Sequence, residues 1–131
     1  MPAGLSAALL ALLALRASLA ASSPQTEPAP YDPYRAEKSV EIGRFYLKRG
    51  NYDAAIARFK DAIAYKPNFA LPRKLLGDAY AKKKEPAEAI RCYEEYLQIL
   101  PGAEDGERIR KRIRQLQKEL ERAARRKRAS P

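Results

Sequence analysis

Eleven lysines and arginines fall within residues 108–128 against two acids, and this is the densest chemistry in the 131-residue chain. They are Arg108, Arg110, Lys111, Arg112, Arg114, Lys118, Arg122, Arg125, Arg126, Lys127 and Arg128. A cation cluster of this kind attracts phosphates, anionic lipid headgroups or the carboxylates of an acidic protein, and its pull weakens with salt. The remainder of the chain is close to balanced, with 15 basic residues against 14 acidic, so nearly all of the net charge of +10 belongs to this one stretch. The alternative reading is a solubilising helix face that ends in a frayed basic tail. No aromatic residue follows Tyr96, which removes the stacking groups on which single-stranded nucleic acid is held.

Other reactive groups are scarce. The chain has no His and no Trp, a single Cys, and a single Met at its start. A serine, aspartate or cysteine nucleophile therefore has no histidine base, a Cys/His zinc site cannot be assembled, and an intramolecular disulfide has no second thiol. The expectation is a protein that is not an enzyme and needs no cofactor or metal. Cys92 falls in a helical pattern, where a small half-buried residue is the ordinary reading and pairing between molecules the other.

The N-terminal residues address the compartment. Residues 5–15 are apolar, Arg16 interrupts them, and small residues follow through Ala20 and Ala21 to Ser22, Ser23 and Pro24. About 11 apolar residues suit a secretory signal, whereas a membrane-spanning helix takes roughly 20. Cleavage after Ala20 is expected, although residues 1–4 carry no Lys or Arg. An uncleaved inner-membrane anchor and an Ala/Leu-rich disordered leader are the alternatives. No cysteine follows the apolar run to accept a lipid. Residues 21–32, rich in Pro, Ser, Ala and Thr, read as a flexible linker. The expected compartment is the periplasm or cell envelope.

Beyond the linker the chain repeats itself. A shift of 34 residues superposes Gly43 on Gly77, Tyr46 on Tyr80, Ala55 on Ala89, Ile56 on Ile90, Phe59 on Tyr93 and Pro67 on Pro101. Each copy reads as two helices. The first runs over 33–49 and ends at Gly50, and the second over 53–65, with Ala55, Ile56, Phe59, Ala62 and Ile63 on one face. Pro67 stops it, and Asn68 is placed to cap a third helix over 69–83 whose first turn holds Pro72. A fourth covers 86–100, with Ala89, Ile90, Tyr93, Tyr96 and Leu97 as its buried stripe. Glycine inside a helix costs about 1 kcal/mol relative to alanine, so Gly43 and Gly77 imply close helix approach, with Ala55 and Ala89 as the opposing small residues. The aromatic residues then fill the space between helices.

These residues resemble the tetratricopeptide repeat family: Ile42-Gly43-x-x-Tyr46, Ala55-x-x-x-Phe59 and Pro67, then Leu76-Gly77-x-x-Tyr80, Ala89-x-x-x-Tyr93 and Pro101. Ser39 and Arg73 depart from the family, which often has a bulky apolar residue there. The resemblance implies an all-α solenoid of helical hairpins, with repeats at 33–66 and 67–101. Two repeats are fewer than the three or so that bury a continuous core, and the segment 104–127 supplies a capping helix. Its residues Ile109, Ile113, Leu116 and Leu120 form a narrow apolar seam, which is also the pattern of a short coiled coil and so of a homodimer. Residues 128–131 read as a disordered tail.

The family's first helices line a concave groove that binds segments of partner proteins. Carried over, the groove residues are Glu37, Val40, Arg44, Leu47 and Lys48 from the first repeat and Lys74, Asp78 and Ala81 from the second, with Lys74 and Asp78 read as an i,i+4 pair. Members that dock chaperone C-termini use lysine and asparagine at positions held here by Val40, Arg44 and Leu75, which disfavours that role. The expectation is a protein–protein interaction module of the bacterial cell envelope. Its rival is a protein acting through the basic helix on an anionic membrane surface or, less favoured, on nucleic acid.

Overall fold

The computed structural model describes residues 27–131, so the expected signal segment and the first half of the expected linker fall outside the described residues. Five α-helices follow one another: α1 Pro33–Lys48, α2 Tyr52–Tyr65, α3 Ala70–Lys82, α4 Pro86–Ile99 and α5 Gly106–Ala129. Each packs on its neighbours in the chain, α1 with α2 and α3 with α4 as hairpins, α2 against α3, and α5 against α4. The architecture is an all-α stack of two hairpins and a closing helix.

Local chemistry sets the boundaries. The Asp32 carboxylate accepts the Arg35 amide at 2.9 Å and Pro33 opens α1, while the Asp32 amide donates to the Tyr65 carbonyl and ties the end of the linker to the first hairpin. Gly50 takes φ +76° to close α1, and the Asn51 side chain caps α2 through the Ala54 amide. The second hairpin repeats this turn without a glycine. Lys84 adopts φ 66°, and the amide that follows it, on Glu85, donates to Tyr80 as the Asn51 amide donates to Tyr46. A lysine there bears a steric cost that Gly50 avoids. The expected cap at Asn68 is not made: α3 begins after Phe69, with no side-chain cap. The last helix runs through Ala129, two residues past the end expected from the sequence.

The close approach implied by the glycines is present, and its partner differs from the expected one. A Cβ built on Gly43 would lie 2.5 Å from Phe59 Cε1, and one on Gly77 would lie 2.5 Å from Tyr93 Cε1. The aromatic ring therefore rests on bare backbone, while Ala55 and Ala89, both fully buried, pack alongside. Phe59, Tyr93, Cys92, Pro72 and Leu116 are the largest fully covered side chains. Burial pushes the Cys92 thiol up to about 11, and at 1% exposure it is not placed for pairing between molecules.

Ile42, Pro67 and Pro101 are exposed, unlike the other residues read as packing between repeats; the prolines lie in the turns after α2 and α4, and Ile42 lies on a helix. Ile42 is 43% exposed, whereas Leu76, at the same position one repeat on, is 4% exposed. Phe45 and Ala79 differ in the same sense, at 52% and 0%. The reason is the end of the stack: α3 has α2 packed before it, and α1 has no described helix on that side. Among the described residues no helix is long and apolar enough to cross a membrane.

Adding a methyl group at Gly77 should lower stability by about 1–2 kcal/mol, because overpacking against Tyr93 outweighs the gain in helix propensity. Lys84→Gly should raise stability by up to about 1 kcal/mol by relieving the left-handed backbone. Urea denaturation of the two variants beside the parent checks both signs.

Candidate functional site

The inner side of the stack is built by alternate helices. Glu37, Arg44 and Lys48 stand exposed on α1, with Leu47 half-buried beside them. On α3, Lys74, Asp78 and Ala81, which match Val40, Arg44 and Leu47 one repeat earlier, are all half-buried. Val40, expected in this group, is only 6% exposed and belongs to the core. Its aliphatic side chain is covered within the hydrophobic core, so it is not available to a partner.

A third helix joins these two. Moving a further 34 residues places Asp105, the residue before α5, and Arg108 and Arg112 within it at the positions of Glu37, Val40 and Arg44, and the structure brings all three against α3 and α4. Lys74 Nζ donates to Asp105 Oδ2 at 2.7 Å, the Tyr96 hydroxyl donates to Asp105 Oδ1 at 2.6 Å, and Arg108 Nη2 approaches the same carboxylate at 3.3 Å. The expected Lys74–Asp78 pair is therefore replaced. Asp78 instead accepts the Tyr93 hydroxyl at 2.5 Å. Lys74 also lies 5.4 Å from the centre of the Tyr96 ring, adding a cation–π contact.

The electrostatics follow from those contacts. Hydrogen bonds from Lys74 and Tyr96 hold the Asp105 carboxyl down at about 2. Burial, followed by the bond to Asp105, pushes the Tyr96 phenol up to about 12. Burial and Asp78 push the Tyr93 phenol higher still. Two open recesses result. One, of about 650 Å³, is lined by Lys74, Tyr96, Leu100, Glu104, Asp105 and Arg108. The other, of about 260 Å³, lies where α1, α3, α4 and α5 meet and is lined by Leu47, Asp78, Ala81, Lys82, Tyr93 and Arg112. Neither holds the constellation of a nucleophile and base.

The basic cluster splits in two. Arg108 and Arg112 line the recesses, while Arg110 reaches the Pro101 carbonyl and pairs with Glu107, as does Arg114. After Leu116 every residue through Ala129 is exposed except Ala124, which is half-covered. Thus Lys118, Arg122, Arg125, Arg126, Lys127 and Arg128 stand on a free length of helix, about 20 Å long at 1.5 Å per residue. The seam read as a coiled coil is covered within the chain: Ile109, Ile113 and Leu116 are buried against the body, leaving only Leu120, at 36% exposure. The 4-3-4 spacing alone could not separate the two uses. Lys82, Asp105, Arg108 and Arg112 were not placed in the groove from sequence, although extending the same period once more points to the last three.

The depressed Asp105 carboxyl makes a signed prediction. The unfolded chain binds this proton more readily than the folded one, so the stabilisation is complete above the ordinary carboxylate range and is lost as pH falls toward 2. Asp105→Asn should accordingly be less stable than the parent at pH 6, with the gap narrowing toward pH 2, as thermal unfolding at a series of pH values would show.

Residues 40–104 match the family model described as tetratricopeptide repeat. Over 61 residues the chain is 37% identical to a chloroplastic tetratricopeptide repeat domain-containing protein, PYG7, of Arabidopsis thaliana, a match covering 47% of this chain and 20% of that protein. The chain thus spans about a fifth of the length of the curated relative it matches. Among solved structures it is similar to the first tetratricopeptide domain of Spaghetti (RPAP3) bound to an HSP90 peptide, at 19% identity and a TM-score of 0.41, covering 68% of this chain and 95% of that one. With its glycine–aromatic contacts repeated at 34 residues in two stacked hairpins, the chain belongs to the tetratricopeptide repeat family.

Proposed function

We propose that this chain is a non-enzymatic adaptor that binds a segment of a partner protein along the face formed by α1, α3 and α5. The observation that carries this reading is the row of three inner helices bordering two open recesses, with polar and apolar groups side by side. The family's interaction role supports it. A chaperone tail is not the partner proposed, because Val40 and Leu75 are both core residues, at 6% and 8% exposure.

The compartment proposed is the cell envelope, on the strength of the apolar residues 5–15 and the small residues after them. Fusing residues 1–32 to an alkaline phosphatase that is active only after export is the direct check. Activity with the segment and none without it is expected, and an inactive fusion removes the envelope from the proposal.

A second reading rests on the free basic half of α5, whose charge suits an anionic membrane surface. Site-specific crosslinking in the native cell separates the two. A photoreactive residue at Ala81 should capture a partner that one at Glu94, exposed on the second helix of the repeat, does not, and truncation after Leu120 should leave that adduct in place. Equal capture from Glu94 would sink the groove, and loss of all capture on truncation would favour the basic helix.

A further inference from the structure

We infer that α1 carries a contact for a second copy of this chain: its outer stripe of Tyr34, Lys38, Glu41 and Phe45 docks antiparallel on the same stripe of the other copy, setting Tyr34 against Phe45 and Lys38 against Glu41. Glu37, Arg44 and Lys48 lie on a different stripe of α1, so this contact is independent of the groove reading above.

In the repeats that follow, this stripe is covered. Steps of 4, 3 and 4 residues put Tyr34, Lys38, Glu41 and Phe45 along one side of α1, the spacing by which one helix lies on another. One repeat on, the same positions hold Asn68, Pro72, Leu75 and Ala79, and the last three are buried in α3, which packs on α2. A further repeat on they hold Gly102, Gly106, Ile109 and Ile113, and the last three are again buried, in α5 against α4. Of the three inner helices, α1 alone leaves the stripe exposed, with Tyr34 at 70%. It is also the only one with charged residues there.

Those charges identify the occupant. Tyr34 and Phe45 share a midpoint with Lys38 and Glu41, between Ser39 and Val40, and the stripe reads aromatic, cation, anion, aromatic in order. An antiparallel copy centred on that midpoint meets each cation with an anion and each ring with a ring. A parallel copy in register sets Lys38 on Lys38 and Glu41 on Glu41, and like charges repel. Within one chain Lys38 donates to Glu41 at 2.9 Å, and both side chains stay more than half exposed. An ammonium has three donors and a carboxylate about four acceptor sites, so each keeps capacity for the opposite charge of a second copy. The flanking cations are already engaged, Arg35 with Asp32 at 3.4 Å and Arg49 with the Phe45 ring at 4.4 Å from its centre. Arg49, together with Tyr46 edge-on at 5.7 Å, holds that ring in place before association, which lowers the entropy lost on docking. A single helix pair falls below the roughly 1,200 Å² at which stable interfaces begin, so the dimer is weak and reversible, with a Kd of about 10–100 μM.

Sedimentation equilibrium of the purified chain over about 5–500 μM reads the association directly. The average mass should rise with concentration toward twice that of one chain. Lys38→Glu and Glu41→Lys, each alone, set like charges together at both ends of the contact and should weaken the dimer at least about tenfold. Mixing the two variants in equal amounts should restore it, because each supplies the charges the other lacks. Phe45→Ser should weaken it by a similar factor, while Arg126→Gln with Arg128→Gln on the free end of α5 should leave it unchanged. Circular dichroism checks that the helices persist. Exchanging both charges within one chain should preserve the dimer, and this decides the matter if a single variant loses helix. A monomeric mass at every concentration overturns the inference. So does a dimer indifferent to Phe45→Ser and to both charge variants, or one lost only on truncation after Leu120, since the contact then lies on another surface. A mixture of the charge variants that stays monomeric rejects the antiparallel pairing and the inference with it. A photoreactive residue at Ile42 that captures residues 1–26 of its own chain, or a different protein, in place of a second copy gives the stripe to that occupant and equally overturns it. Capture from Ala81 is unaffected by any of these results, so the groove reading stands or falls separately.

Discussion

Each hairpin depends on a ring that lies directly on helix backbone. Phe59 occupies the space where Gly43 lacks a side chain, and Tyr93 does the same at Gly77. Any Cβ at those positions would hold the two helices apart, and the alanines beside the rings would lose their cover. The contact sets the spacing of the helices, and the spacing sets which residues of α1 and α3 are turned inward. Packing and site are thus two consequences of one approach distance.

The two copies of this contact are not equivalent, and the difference bears on the groove. Phe59 ends in a hydrogen, whereas Tyr93 ends in a hydroxyl that donates to Asp78. The inner position on α3 is consequently a carboxylate tied down by the ring beneath it. The same position on α1 is Arg44, with a phenylalanine behind it and no ion pair among the described residues. A substitution that leaves the ring's packing unchanged alters what the groove offers, because it decides whether the charge above the ring is engaged.

The last helix performs two tasks with one sequence. Its first half packs Ile109, Ile113 and Leu116 on α4 and delivers Asp105, Arg108 and Arg112 to the inner face. At the positions where Gly43 and Gly77 accept a ring, it has Lys111, and where Tyr46 and Tyr80 pack it has Arg114. A further hairpin partner would have to bury those charges unpaired, so the stack stops at α5. The opposite end has no such stop. Ile42 and Phe45 remain exposed there because α1 has no described helix before it.

Sequence by itself determined the all-α class, the 34-residue period, the helix boundaries to within a few residues, and the close approach at the two glycines. All of these are encoded by residues near one another or at a fixed spacing. The resemblance to the repeat family, rather than the spacing alone, named Glu37, Val40, Arg44, Leu47, Lys48, Lys74, Asp78 and Ala81 as groove candidates, of which the structure buries Val40 in the core. What the sequence could not decide were the pairings between helices: that Lys74 turns from Asp78 to Asp105, that Tyr93 claims Asp78, that Val40 and Cys92 are covered, and that the α5 seam faces α4 rather than a second molecule. Those outcomes depend on which surfaces remain uncovered after the hairpins stack, a property of the three-dimensional arrangement that no spacing along the chain records. An apolar stripe specifies that something must cover it, and only the packed body specifies what does.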